Sequence, residues 1–585
     1  MASYEIEQAR LQKLLDEMLF EDLQTDNPIH ADEGPFDKSD TEESDHEEVI
    51  DESSDSEQDI DDADGSTDEY YMTGPSFIAK NKTYWKKHKP PIRAIRTRQE
   101  NIIKRLPSPT QATKVLKRPI EIWNYFFTEE IISEIVMCTN LFIEKIRNNY
   151  TRERDANKTD ANEIRAMLGL IYMAGVTKSN KLNLEDLWRR DGYGIEIFCL
   201  TMSLQRFRFL LRCVRFDNIE TRAVRRELDK LAPIRKIFEL FVSHCEKGYH
   251  HSDFVTIDEM LPAFRGRCAF RQYMPKKPTK YGMKVFAMCD AKMFYTSKLE
   301  VYVGVQPDGP YKLSNASDAV VTRMCRHISG SGRNVTMDNW FMSVPLVQKL
   351  RNDFKLTTFG TIKKIGQVCR YSLQSLLLDQ YAPVCLDLDK TVPCFPICQK
   401  KNKNILLVSS YHKDDEIDES TGNLNKPAMI TDYNKTKGGV DTVDKLCASY
   451  NCARATRRWP MVVFYLMLNI AGINSQVIFC ANNPNNKIIR RHFLRDLAND
   501  LIKPQLATRA CLAGLPRILK LRLQEITGIE STAAEVNVPP GRCVECGWRK
   551  NRKTRFSCYQ CHIYMCLEHL TPVCSRCKQP SIEVE

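Results

Sequence analysis

Residues 254–258 read Phe-Val-Thr-Ile-Asp, and residues 334–338 read Asn-Val-Thr-Met-Asp. Each run is short, rich in β-branched side chains and closed by an acid, the pattern of a buried strand that carries a carboxylate at its end. Similar runs occupy Tyr281 to Asp290, Ser297 to Val303 and Leu356 to Ile362, and the spacing predicts a helix over Met342 to Asn352. Strands and a helix in that order make residues 254–364 a mixed α/β sheet. Adjacent strand ends bring Asp258 and Asp338 close together. A third acidic pair, Asp441 and Asp444, stands at the start of a predicted helix, on one face of it. Oxygen donors alone suit Mg2+ or Mn2+, and a two-metal site activates an attacking oxygen while stabilising the leaving oxygen of a phosphodiester. By spacing alone, an Asp at a strand end or helix start fits a turn or a cap equally well.

On both sides of this sheet the periodicity turns helical. Ile120 to Ile146, Glu163 to Val176, Leu204 to Phe216 and Pro233 to His244 precede it, and Arg457 to Gln476 and the basic stretch 486–527 follow. Arg206, Arg208, Arg212 and Arg215 form a row along the third of these, which suits a solvated face or a DNA contact. The apolar run from Met461 to Ile473 is short for a bilayer span and is interrupted by Asn469, so no membrane association is expected. At 585 residues the chain exceeds one core and needs several domains.

The net charge of +10 conceals a division. Residues 1–79 carry 26 acids and 3 basic residues, whereas the remainder carries 82 basic residues and 49 acids. The first 79 residues read as an acidic disordered tail, because Asp37 to Glu69 has almost no apolar side chain to offset the entropy of ordering. Residues 80–118, with 13 Lys or Arg and one acid, Glu100, read as a basic arm able to follow a phosphate backbone or to rest against the tail. A body this basic calls for a polyanionic partner, and double-stranded DNA is the obvious one.

Most of the cysteines stand singly, as at Cys138, Cys199, Cys213, Cys245 and Cys289, which suits buried thiols in a reducing compartment. The C-terminus differs. Cys543, Cys546, Cys558, Cys561, Cys566, His569, Cys574 and Cys577 form four ligand pairs, enough for two tetrahedral Zn2+ sites in an interleaved cross-brace. Cys543, Cys546, Cys566 and His569 would share one ion and Cys558, Cys561, Cys574 and Cys577 the other, with His562 as a spare ligand. Arg549, Lys550, Arg552 and Lys553 lie between the first two pairs, placed for phosphate contacts or nuclear import.

Three long blocks carry a family resemblance: TIDEMLPAFRGRCAFRQYMPKKPTKYGMKVFAMCD (256–290), GRNVTMDNWFMSVPL (332–346) and DYNKTKGGVDTVDKLCASYNCARATRRWP (432–460). They resemble the blocks that define piggyBac transposases, and FFTEEIISEIV (126–136) and RFRFLLRCVRFDN (206–218) resemble that family's helical domain. The resemblance implies a multidomain protein with an RNase H-like α/β catalytic core interrupted by an insertion, an α-helical dimerisation and DNA-binding domain, and a small zinc module. In that layout the helical domain takes 119–253 and 457–530, the core 254–364 and 434–456, the insertion 365–433, a linker 531–541 and the zinc module 542–585. It puts the catalytic aspartates at Asp258, Asp338 and Asp441, with Asp444 as a nearby fourth acid. DNA contacts are expected at Arg265, Arg267, Lys280, Arg457 and Arg458 and in the 549–553 loop, and Trp459 is a candidate for stacking on a base or for the core. The implied activity is cut-and-paste transposition: cleavage at transposon ends, a hairpin intermediate and transfer to TTAA targets, by a nuclear homodimer. Similarity lapses across 365–399 and resumes at Lys400, as two compensating frameshifts in an old copy, or genuine divergence, would produce. A catalytically silent, host-retained DNA-binding protein is the alternative.

Overall fold

The computed structural model describes residues 102–362, 403–529 and 541–570, apart from 104, 276, 413–416, 425, 487, 513, 547–549, 551, 557 and 559–562; beyond these it describes only the backbone segments 76–78, 84–86, 386–388 and 392–400. The acidic tail to residue 75, about half of the basic arm, and the lapse across 365–399 apart from its segments 386–388 and 392–399 therefore lie outside the described residues. Two compact units, 1–509 and 510–585, make up the chain.

In chain order the strands of the first unit begin with β1 (Ser76–Ile78), β2 (Tyr84–Lys86), β3 (Ser108–Pro109), β4 (Tyr249–His250), β5 (Phe254–Met260), β6 (Arg271–Tyr273) and β7 (Tyr281–Met283). Then come β8 (Val285–Asp290), β9 (Thr296–Val301), β10 (Asn334–Met337), β11 (Thr357–Ile362), β12 (Leu386–Leu388), β13 (Val392–Lys400) and β14 (Lys403–Ser409). One sheet runs β1-β2-β12-β13-β14-β11-β10-β5-β8-β9. Its centre is mixed: β10 is parallel to both β5 and β11, and β5 is antiparallel to β8. Beyond β11 the strands β14, β13 and β12 add on antiparallel, so the strands of 386–409 extend the sheet. The expected strand from Tyr281 to Asp290 is interrupted at Lys284, which leaves β6 and β7 as a separate two-stranded hairpin.

The side chains of Val255, Ile257, Val335 and Met337 point to one face, where they pack with Val320, Met324, Leu346 and Leu350 from helices Ser317–Cys325 and Val344–Asn352. Because strand side chains alternate, Thr256 and Thr336 face the other way. Helix Gly439–Ser449 packs on that second face against β5 and β8.

Most of the expected helices before the sheet are present, with breaks where caps demand them. Ile120 to Ile146 is two helices, Pro119–Phe126 and Glu129–Ile146, because Thr128 is extended and caps the second by accepting from Ile131 N. The arginine row is divided: Arg212 is exposed, whereas the other three are engaged by the protein itself. Arg206 pairs with Glu163 at 2.7 Å, Arg208 with Glu185 at 3.0 Å, and buried Arg215 lies 3.5 Å over the Phe142 ring.

A correction concerns the apolar run. It belongs to the longer helix Trp459–Asn482, which by length and composition alone could cross a bilayer, but its apolar window is wholly buried inside the protein. Two of its asparagines find partners there: Asn474 bridges Thr296 N at 2.9 Å and Thr296 O at 2.8 Å, and Asn469 Oδ1 accepts from Cys452 N at 3.0 Å. These bonds tie the helix to the sheet, and they explain why a 24-residue apolar helix sits in a core.

Candidate active site and candidate metal centre

A repeated Thr-x-Asp builds the site. Thr256 and Asp258 share a face of β5, and Thr336 and Asp338 share the matching face where β10 ends. The parallel register sets Thr336 opposite Thr256 and Met337 opposite Ile257, so Asp338, just past the end of β10, stands level with Asp258, from which β5 runs on two residues farther than the expected strand end. Both threonines clasp a single residue. Thr256 Oγ1 donates to Thr436 O at 2.6 Å, and Thr336 Oγ1 donates at 2.9 Å to Thr436 Oγ1, which itself donates to Asp432 O at 2.8 Å.

Thr436 closes helix Ala428–Thr436, and helix Gly439–Ser449 starts three residues later. Gly439 lies directly on the strand: a Cβ there would stand 2.6 Å from Thr256 Oγ1 and 3.0 Å from Thr256 Cβ. Glycine alone permits this approach, and it puts Asp441 in the first turn and Asp444 a turn later beside the end of β5. Asp338 is held by Asn339 N at 2.6 Å and Thr361 Oγ1 at 2.9 Å, and Asp258 accepts from Glu259 N at 2.8 Å.

The electrostatics record the crowding. Burial, then the hydrogen bond and charge of Glu259, raise Asp258 well above the usual carboxylate range, while the hydrogen bond from Asp258 and the Lys284 ammonium keep Glu259 low despite its burial. Burial pushes Asp444 up to about 6, with Lys277 opposing and Asp441 adding to the rise. Tyr433 is pushed up to about 12 by burial, with Asp338 and Asp258 adding to it.

Lys277 is the residue that sequence reasoning missed. Its ammonium donates to Glu259 O at 2.8 Å and lies 3.4 Å from Asp441 Oδ1. Burial lowers its pKa, but Asp258, Asp441 and Asp444 outweigh that and raise it. A cation is thus already drawn among these acids, and oxygen is the only donor type they offer. Both observations fit Mg2+ or Mn2+ held by Asp258, Asp338 and Asp441.

The expected DNA contacts divide into two groups. Arg265, Arg267, Lys280 and Arg457 are exposed. Gly266 packs the 265–267 loop against Arg457, since a Cβ there would be 2.9 Å from Arg457 O. The other two are turned inward. Arg458 donates to Leu211 O, Arg212 O and Val214 O at the C-terminus of helix Leu204–Cys213, where a cation meets orphan carbonyls. Trp459 is 3% exposed and sits edge-on to Phe270 at 5.0 Å, so it is placed as a core residue rather than as a stacking platform.

In the second unit Cys543, Cys546, Cys566 and His569 converge, with all four donor atoms within 4.8 Å of one another. Cys546 Sγ lies 3.5 Å from both Cys566 Sγ and His569 Nδ1, and Cys566 Sγ lies 3.4 Å from His569 Nδ1. A tetrahedral ion bonded to sulfur and imidazole nitrogen spaces its donors roughly 3.6 to 3.8 Å apart, so thiolates and Nδ1 fit Zn2+ after a small expansion. The pairing of strands β15 (Gly541–Arg542) and β16 (Lys553–Thr554) brings the ligands together. Cys558 is half-buried, while Cys561, Cys574 and Cys577 lie outside the described residues, as does Arg549. Lys550 and Lys553 are exposed, and Arg552 pairs with Glu568.

Comparison with known proteins adds four findings. A family model described as Transposase IS4 matches residues 118–476. The human PiggyBac transposable element-derived protein 3 is 22% identical over 370 residues, 60% of this chain and 59% of that protein. The human Chimeric ERCC6-PGBD3 protein is 22% identical over 370 residues, 33% of its length, so the chain spans under two thirds of both curated relatives. Among solved structures, a cryo-EM structure of the piggyBac transposase synaptic complex with hairpin DNA is 34% identical, with a TM-score of 0.69, covering 81% of this chain and 100% of that one.

Proposed function

The chain belongs to the piggyBac family of transposases, and from that premise we propose that it is a cut-and-paste DNA transposase whose RNase H-like core is centred on β5 and β10. The observation that carries this reading is the register that sets Asp258, within β5, level with Asp338, just past β10, together with Asp441 and Asp444 on helix Gly439–Ser449, which follows the Thr436 clasp and packs on β5. Asp258, Asp338 and Asp441 hold the divalent ion and Asp444 supports them. Bound Mg2+ or Mn2+ supplies an activated oxygen nucleophile and charge for the leaving oxygen. A strand is nicked at the transposon end, the freed 3′-OH attacks the opposite strand to leave a hairpin, and the excised end joins a TTAA target.

Arg265, Arg267, Lys280 and Arg457 form the basic rim along which the phosphate backbone runs. The C-terminal module, folded around two Zn2+, reads the transposon ends, and the protein works as a homodimer in the nucleus. The test is excision from a donor plasmid that carries the terminal repeats flanking the gene. Wild-type protein is expected to release the donor segment and Asp338→Asn to release none. The human relative named as a transposable element-derived protein favours a second reading, a retained DNA-binding protein without transposition. End binding without excision by wild-type protein would favour that reading over the first.

A further inference from the structure

Lys277 lies in the turn of the β6–β7 hairpin, where Met274 N donates to Lys280 O at 2.8 Å and Lys277 N donates to Met274 O at 3.1 Å. A lysine at a hairpin turn ordinarily extends into water. This one folds back until its side chain is 22% exposed, with the ammonium 2.8 Å from Glu259 O and 3.4 Å from Asp441 Oδ1. Glu259 follows Asp258 directly, so the ammonium joins the end of β5 to the first turn of helix Gly439–Ser449. Those two elements must stay together for the acids to converge.

Resting on the reading of these acids as metal ligands, we infer that Lys277 is the site's resident counter-cation, which holds the carboxylates in place in the metal-free protein and competes with the divalent ion for them. The geometry requires the competition. An ammonium within hydrogen-bond reach of a ligand carboxylate repels a doubly charged ion entering the same cluster, and water about Asp441, whose side chain is 56% exposed, screens that repulsion only in part. The hairpin belongs to its own two-stranded sheet, and the lysine stem has four methylenes, so the ammonium can leave without disturbing β5. Once displaced, it stays beside the strand ends with exposed Lys280, on the rim proposed to receive the DNA backbone.

The experiment measures Mn2+ binding to the full-length, zinc-loaded protein without DNA, by the electron paramagnetic resonance of free Mn2+. Wild type, Lys277→Gln, Lys277→Arg and Asp258→Asn are compared, with melting curves of each. Lys277→Gln is expected to bind Mn2+ about tenfold more tightly than wild type at low salt, with the gap narrowing as salt is added. Lys277→Arg, which keeps the charge, should match wild type. Metal-free Lys277→Gln should melt below wild type, and Mn2+ should close that difference. If Asp258→Asn abolishes Mn2+ binding while Lys277→Gln binds no more tightly than wild type, the inference fails and the ligand reading stands. Binding indifferent to Asp258→Asn overturns both.

Discussion

A buried carboxylate outside the acid cluster shows how single residues fix this fold. Asp290 is fully buried at the end of β8, where it accepts from Ser252 N and Ser252 Oγ at 2.6 Å or less and from Lys292 N and Met293 N at 2.9 and 2.8 Å, with His251 Nδ1 3.8 Å away. Burial by itself would raise its pKa, but His251 and the Ser252 donors lower it below the usual value. A depressed folded-state pKa means stability present above the unfolded value and lost as pH falls through the folded one. Asp290→Asn is therefore expected to cost about 1–3 kcal/mol at pH 7 and to flatten the loss of stability below roughly pH 4, read from denaturation midpoints across pH. Acid sensitivity equal to wild type would show that other carboxylates govern it. Asp258, Asp338, Asp441 and Asp444 were legible as candidates because strand ends and helix starts can be read from pattern. Lys277 was not, because its reach depends on the fold of a hairpin turn. Charge and aromaticity in a sequence do not reveal which way a side chain faces, so the inward turn of Arg458 and the choice between base stacking and core for Trp459 are visible only in the fold.

Between elements, the clasp on Thr436 and the contact at Gly439 decide whether the helix can deliver Asp441. Gly439→Ala would put a methyl group 2.6 Å from Thr256 Oγ1, within a strand that has no room to retreat. The helix must lift, so about 1–3 kcal/mol of stability should be lost, and DNA cleavage should fall far more than the melting temperature suggests, although every acid is still present. Wild-type cleavage by this variant would show that the close approach is not needed. Strand order was foreseeable only in part. The apolar runs announce β5, β8 and β10, but pairing of β14 onto β11 joins residues far apart in sequence and leaves no local pattern. Likewise the helix Trp459–Asn482 looks like a shorter apolar run because Asn474 and Gln476 dilute it, and only their buried partners reveal its length.

Across the whole molecule, charge and metal set two further expectations. With 26 acids in residues 1–79 and 13 basic residues in the adjoining arm, the tail is expected to compete for the surfaces that DNA needs. Deleting residues 1–79 should tighten binding to a non-specific duplex, most where the Debye length is about 30 Å at 0.01 M salt and hardly at all near 1 M. Equal affinities throughout a salt series would show that the tail does not compete. Metal analysis of the full chain should find two Zn2+, falling to one in Cys546→Ser, because four thiol and imidazole donors already converge at 543–569. Two equivalents in the variant would remove Cys546 from the ligand set. The central claim, that the acids at the ends of β5 and β10 cut DNA through a divalent ion, is tested most directly by single-turnover cleavage of transposon-end DNA in Mg2+, with binding to the same DNA measured in parallel. Asp258→Asn and Asp338→Asn are each expected to bind like wild type and to cleave at least about a thousandfold more slowly, a loss of roughly 4 kcal/mol of transition-state stabilisation. Cleavage near the wild-type rate in either variant would contradict the account.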